Sequence, residues 1–234
     1  MPSNINWHTI ISRYALNVKG LTFKTEWIEY PDIEGFCKER GIPAVNTRPD
    51  GSPFYTLPMI HDQSTNKYIV DSYRIAEYLD DQYPDTPTLL PKGTRALQAA
   101  FVSTVWAAGG PALNFIMPAT HTILNEASQG YFYRNKGILA LKLPEDKVDE
   151  QWKKFEAGMG VIDGWLQCNA EGQKFIAGDA ITFADIALAA WVLWHKKVFN
   201  GNNQGRGESK EWERIEGWHG GRWAKLVANF EQYE

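Results

Sequence analysis

Thr56-Leu57-Pro58-Met59-Ile60, a polar turn from Asp62 to Asn66, Tyr68-Ile69-Val70, and then Asp71-Ser72 ahead of Ile75, Ala76 and Leu79 make up one continuous stretch of this chain. The apolar run Leu57 to Ile60 reads as a strand and Tyr68 to Val70 as a second. The short polar turn between them makes the pair an antiparallel hairpin. A helix follows at once, from Ser72 to about Gln82, with Asp71 and Ser72 placed to cap it. The Leu57-Pro58 bond falls where a loop meets a strand, a position in which an X-Pro bond is a candidate for the cis isomer.

Working outward toward the N-terminus, Ile11, Tyr14, Ala15 and Val18 recur at helical spacing. Gly20 follows as a left-handed stop, so a first helix ends near Lys19. Phe23, Thr25 and Trp27 alternate with Lys24, Glu26 and Ile28 and predict a strand, which Pro31 closes. Asp32 caps a short helix through Arg40, and Gly51 and Pro53 mark a loop.

In the other direction, Pro84, Pro87 and Pro91 break regular structure, and beyond them only helical periodicities appear. The chain therefore reads as two domains, residues 1–85 and 92–234. In the second, Thr182-x-x-Asp185 is a capping box, with Ile181 and Ile186 placed as a hydrophobic staple. It opens the most apolar stretch, Ala180 to Trp194, which Asp185 interrupts and which is too short to cross a bilayer. The Gly/Asn-rich run from Asn200 to Gly207 predicts a mobile loop. Gly220-Gly221, between Trp218 and Trp223, predicts a turn between packed tryptophans.

Composition narrows the function classes. With 234 residues, 44% of them hydrophobic and 13% aromatic, two small domains can each bury a core. A formal charge of -4 excludes a broad phosphate-neutralising surface, so no nucleic-acid partner is expected. Cys37 and Cys168 lack CxxC spacing, which suggests neither a disulfide framework nor a zinc site and suits a reducing, cytoplasmic home. His8, His61, His121, His195 and His219 show no paired-ligand spacing, and no metal is expected. Met1 to Ser12 has neither a basic leader nor a long apolar run, so no secretory signal is read there.

Thr56 to Ile60, followed by Asp71, Ser72, Ile75 and Glu77-Tyr78-Leu79, resembles the glutathione site of glutathione transferases. The box at Thr182 to Asp185 resembles the one that opens a buried helix in the α-domain of that family. Arg13-Tyr14-Ala15-Leu16-Asn17, Lys19-Gly20, Glu29 to Glu34 and Gly51-Ser52-Pro53 are similar to the fungal Fu class, relatives of bacterial β-etherases. The resemblance implies an α/β thioredoxin-like N-terminal domain followed by an all-helical domain, with glutathione as cosubstrate. Leu57, next to Pro58, would pair its backbone with the cysteinyl portion of glutathione. Ser72 at the helix N-terminus would hold the γ-glutamyl carboxylate, and Asp71 the ammonium group. Simple helix capping by Asp71 and Ser72 stands as the other reading of that pair. The electrophile would lie beside the helices that open the α-domain, where Trp106, Phe115, Met117 and His121 offer aromatic walls for planar phenolic ligands. A homodimer without membrane partners is also implied.

The chain departs from the family at its start. Relatives carry an apolar strand and an active-site loop there, whereas only twelve residues precede Arg13, so the first and interior β-strand reads as missing. Ser3, Asn4, Asn6, Trp7, His8 and Thr9 echo that loop. On this match Ser3 donates a hydrogen bond to the glutathione sulfur and favours the thiolate. The expected function is glutathione transfer involving small aromatic electrophiles or aryl ethers. A non-catalytic polyphenol-binding ligandin and a truncated product without catalysis are the alternatives.

Overall fold

The computed structural model describes residues 7–202 and 209–234; Ser3 and residues 203–207 of the Gly/Asn-rich run lie outside them. The first helix, α1 (Trp7–Val18), buries Ile11, Tyr14 and Ala15, and Gly20 ends it at a φ of 68°. The short helix α2 spans Ile33–Glu39. Two-residue strands β1 (Asn46–Thr47) and β2 (Pro53–Phe54) pair antiparallel where only a loop is expected. The hairpin follows: β3 (Met59–Asp62) and β4 (Lys67–Val70), in register Met59↔Val70 through Asp62↔Lys67. The ladder starts two residues later than the apolar run, since Pro58 has no N–H to donate. Helix α3 occupies Ser72–Gln82, as the sequence predicts.

No strand forms over Phe23 to Ile28. The local signal is nonetheless present, because Leu21, Phe23 and Thr25 are half-buried while Thr22, Lys24 and Glu26 are exposed. A ladder needs a neighbour with which to exchange hydrogen bonds. Among the described residues no strand pairs with this segment, and a cleft of about 1160 Å³ is lined both by it and by β3. Arg13 ties it to α1 through a 2.6 Å hydrogen bond to Thr25 Oγ1.

Beyond the proline linker the chain is helical: α4 (Arg95–Gly109), α5 (Leu113–Ile123), α6 (Glu126–Asn135), α7 (Val148–Leu166), α8 (Phe183–Asn202), α9 (Lys210–Gly217) and α10 (Arg222–Phe230). Asp185 accepts from Thr182 N and Oγ1 at 2.9 and 2.7 Å and from Ile176 N at 2.7 Å, so the capping box forms as read. Every residue from Thr182 to His195 is buried, which makes α8 the axis of the helical half. The helix runs on through Asn200 to Asn202, where the sequence suggests a loop. Two glycines allow the closest approaches: a Cβ on Gly158 would meet the Ala108 carbonyl oxygen, and one on Gly109 would enter the Trp191 ring. The run Arg95–Ile123 has the length and mean hydropathy (1.3) of a bilayer-crossing segment, but the turn Gly110–Ala112 breaks it.

The halves interlock. Trp7 Nε1 donates to the Ala187 carbonyl at 2.8 Å, and Asn17 Nδ2 to the Tyr233 carbonyl at 2.7 Å. Asn125 and Ser128, at the start of α6, both donate to the Glu29 carboxylate.

Candidate functional site

The N-terminus of α3 joins the two features that decide the sequence reading. Asp71 N donates to the Pro58 carbonyl at 3.2 Å, so the Leu57-Pro58 turn, whose peptide bond is cis, and the helix cap form one unit. Asp71 Oδ1 accepts from Tyr73 N at 3.0 Å and Arg74 N at 3.1 Å. It does so from a backbone conformation, φ 84° and ψ 130°, that non-glycine residues rarely adopt and that concentrates at functional sites. With those two N–H groups used by the cap, Ser72 supplies the remaining first-turn N–H and a hydroxyl, on a residue that is itself buried. Capping and ligand binding are thus compatible, since both cap bonds fall on a single oxygen of Asp71.

Two titratable side chains from far away in sequence act on this corner or on each other. His8, in the first turn of α1, has its pKa lowered by the protein crowded around it; the Asp71 carboxylate opposes that shift and the Lys136 ammonium adds to it. Lys136, just after α6, is lowered by burial, and its Nζ lies 5.8 Å from the Phe54 ring centroid in β2. Both residues keep accessible surface despite the desolvation. Lys136 carries no signal in the sequence and His8 stands there only within the loop echo, because three elements separated by over sixty residues at each step carry no local signal of meeting.

The four aromatic-pocket candidates divide. Trp106 on α4 stacks on Trp7 with ring centroids 5.2 Å apart and planes 9° from parallel, beside His8, whose ring is 4.7 Å from that of Trp7. Phe115 stacks instead on Trp152 of α7 at 4.3 Å. Met117 packs against Leu124, Phe132 and Ile138, and His121 meets Tyr133 at 5.6 Å. At about 100° per residue, positions 115 and 117 point to opposite sides of α5, so one wall cannot hold both. Ser3 lies outside the described residues. Among those residues, no group of three or more His, Cys, Asp or Glu is placed to hold a metal ion.

Comparison with known proteins places this geometry. Residues 11–82 match the family model for the glutathione S-transferase N-terminal domain, and residues 96–233 match that for the C-terminal domain. A glutathione S-transferase of Ceriporiopsis subvermispora, solved in complex with glutathione, is 41% identical, with a TM-score of 0.90 over 100% of this chain and 93% of that one. Glutathione transferase GSTFuA3 from Phanerochaete chrysosporium is 38% identical, with a TM-score of 0.91 over the same shares. A glutathione S-transferase-like protein of Aspergillus flavus is 28% identical over 86% of this chain and 85% of its own length. With both domains matched, a thioredoxin-like unit followed by a helical one, and Fu-class fungal enzymes as its structural neighbours, the chain belongs to the glutathione S-transferase family.

Proposed function

We propose that this glutathione transferase moves glutathione to or from small aromatic electrophiles or aryl ethers. The observation that carries the reading is the hydrogen bond from Asp71 N to the Pro58 carbonyl, which joins the cis Leu57-Pro58 turn to the α3 cap formed by Asp71 next to Ser72. In the proposed complex, Leu57 pairs its backbone with the cysteinyl portion, the Ser72 N–H and hydroxyl take the γ-glutamyl carboxylate, and Asp71 Oδ2 takes the ammonium group. Ser3 is the proposed donor to the sulfur, holding it as thiolate. Trp106 is the proposed aromatic wall of the acceptor site, with Met117 and His121 on the α6-facing side of α5. Residues 1–85 and 92–234 would fold as the two domains. Leu97 on α4, with Val161 and Trp165 on α7, exposes apolar surface on a packed helix pair, which supports a homodimer through that face. A cytoplasmic location completes the proposal.

A second reading, a ligandin that holds planar polyphenols without turnover, is favoured by Trp106, which stays 42% exposed while its ring is fixed by Trp7. Calorimetric titration with glutathione tests the shared step. The expected dissociation constant is about 1 mM or tighter, weakened about tenfold or more in Asp71→Ala. Absence of heat with folded protein removes both readings. Turnover of a chlorinated nitrobenzene that falls in Ser3→Ala supports the transferase; tight dye displacement by hydroxylated aromatics without turnover supports the ligandin.

A further inference from the structure

Three histidines commit a ring nitrogen to the fold: His61 Nε2 to Asn66 Oδ1 at 3.0 Å, His195 Nδ1 to the Trp191 carbonyl at 2.8 Å, and His219 Nδ1, which accepts from Trp223 Nε1 at 2.9 Å. His8 differs. It bonds through its carbonyl, which accepts from Ser12 Oγ at 3.4 Å, and neither ring nitrogen has a hydrogen-bond partner among the described residues. The ring is nevertheless held in place. Its centroid is 4.7 Å from that of Trp7, whose Nε1 is fixed on the Ala187 carbonyl and whose indole also stacks on Trp106. The charged groups that act on it are Asp71 and Lys136. His8 therefore connects the corner proposed for glutathione with the wall proposed for the acceptor. The protein crowded around the imidazole keeps it neutral at pH 7, the form that accepts a proton.

A free thiol, with a pKa near about 8.5, is mostly protonated at pH 7 and must lose its proton before it attacks. A phenoxide leaving group, about as basic as tyrosinate with its pKa of about 10, must gain one. Resting on the transferase reading above, we infer that His8 is a catalytic residue that carries this proton from the glutathione sulfur to the leaving oxygen. The imidazole takes the S–H proton and leaves the thiolate. The S–C bond then forms as the C–O bond breaks, the electron pair departs on oxygen, and the imidazolium protonates it, returning His8 to its neutral state. Asp71 favours the imidazolium and Lys136 opposes it, so the ring can both take the proton and release it.

The test compares phenacyl phenyl ether with phenacyl chloride, in which the same carbon is attacked but the departing chloride needs no proton. In His8→Gln, kcat for the ether should fall about 100-fold or more and that for the chloride about tenfold or less. Glutathione affinity by calorimetry should stay within about twofold of the parent chain. Added imidazole should restore ether cleavage about tenfold in His8→Ala, a rescue that a purely structural role would not permit. Equal losses on the two substrates, no loss on the ether, or no rescue overturns the assignment of His8 while leaving the transferase reading intact. Absence of turnover of either substrate by the parent chain with glutathione bound removes both.

Discussion

The two halves are held together by different forces. In the N-terminal half the ladders are two and four residues long, and polar side chains do the joining. Asp62 accepts hydrogen bonds from Tyr78 and Tyr83 at 2.6 Å each, pinning the hairpin to α3. The Lys19 side chain, 0% exposed, donates to Asp80 at 2.8 Å, and Asp80 also accepts from the backbone N–H groups of Leu89 and Leu90. That one carboxylate therefore ties α1, α3 and the interdomain linker. In the helical half Trp152 and Phe155 meet Trp218 edge to face, Trp194 meets Trp191 and His195 in the same way, and the burial is shared among many partners. Polar ties concentrate stability in a few atoms, whereas an aromatic core spreads it.

Breaking the contrast at its strongest point, Asp80→Ala strands a buried lysine and two linker N–H groups at once. A loss of about 3–5 kcal/mol is expected by denaturant unfolding, with the early midpoint in the N-terminal half.

Acid should distinguish the halves next. Burial lowers the His195 pKa to about 4, although its Nδ1–H bond to the Trp191 carbonyl raises it. The folded value lies below 6.5, so the unfolded chain takes up the proton first. The His195 contribution is complete above pH 6.5 and falls away as pH drops toward 4, by about 3 kcal/mol in all. For Asp62, burial raises the pKa, but the Tyr78, Tyr83 and Ser64 hydrogen bonds outweigh it and leave the carboxyl well below its ordinary range. Its contribution persists above the ordinary carboxylate pKa and is lost only at lower pH. Amide exchange followed from pH 7 to pH 3 should show α8 loosening before the hairpin; the reverse order would remove the comparison.

The smallest expected effect is that of Tyr83→Phe, about 1 kcal/mol in thermal unfolding, since Tyr78 and Ser64 still serve Asp62. A far larger loss would mean that Tyr83 carries more than the Asp62 bond.

What the sequence makes legible follows the same divide between local and distant causes. The hairpin, α3, the Asp71 cap and the Thr182–Asp185 box are readable because each is decided within a few residues. Phe23 to Ile28 shows the limit: the alternation of burial is local and present, but a strand needs a partner that no local pattern supplies. Lys19 reads as a helix end and proves to be the buried half of an ion pair with a residue sixty-one positions away. Phe115 and Met117 share an apolar character, yet helix geometry sends them to opposite sides of α5. Asp71 and Lys136 both act on His8 only because α1 and α6 are docked by the tertiary fold.

Trp7 belongs to α1, Trp106 to α4 and Trp191 to α8, with the first two rings nearly parallel at 5.2 Å and Trp191 edge-on to both. Indoles this close couple their electronic transitions, so the trio should give the chain a distinctive near-ultraviolet circular dichroism couplet. Because the three chromophores meet only when the first helix is seated on the helical half, the chain carries its own unlabelled optical gauge of that docking.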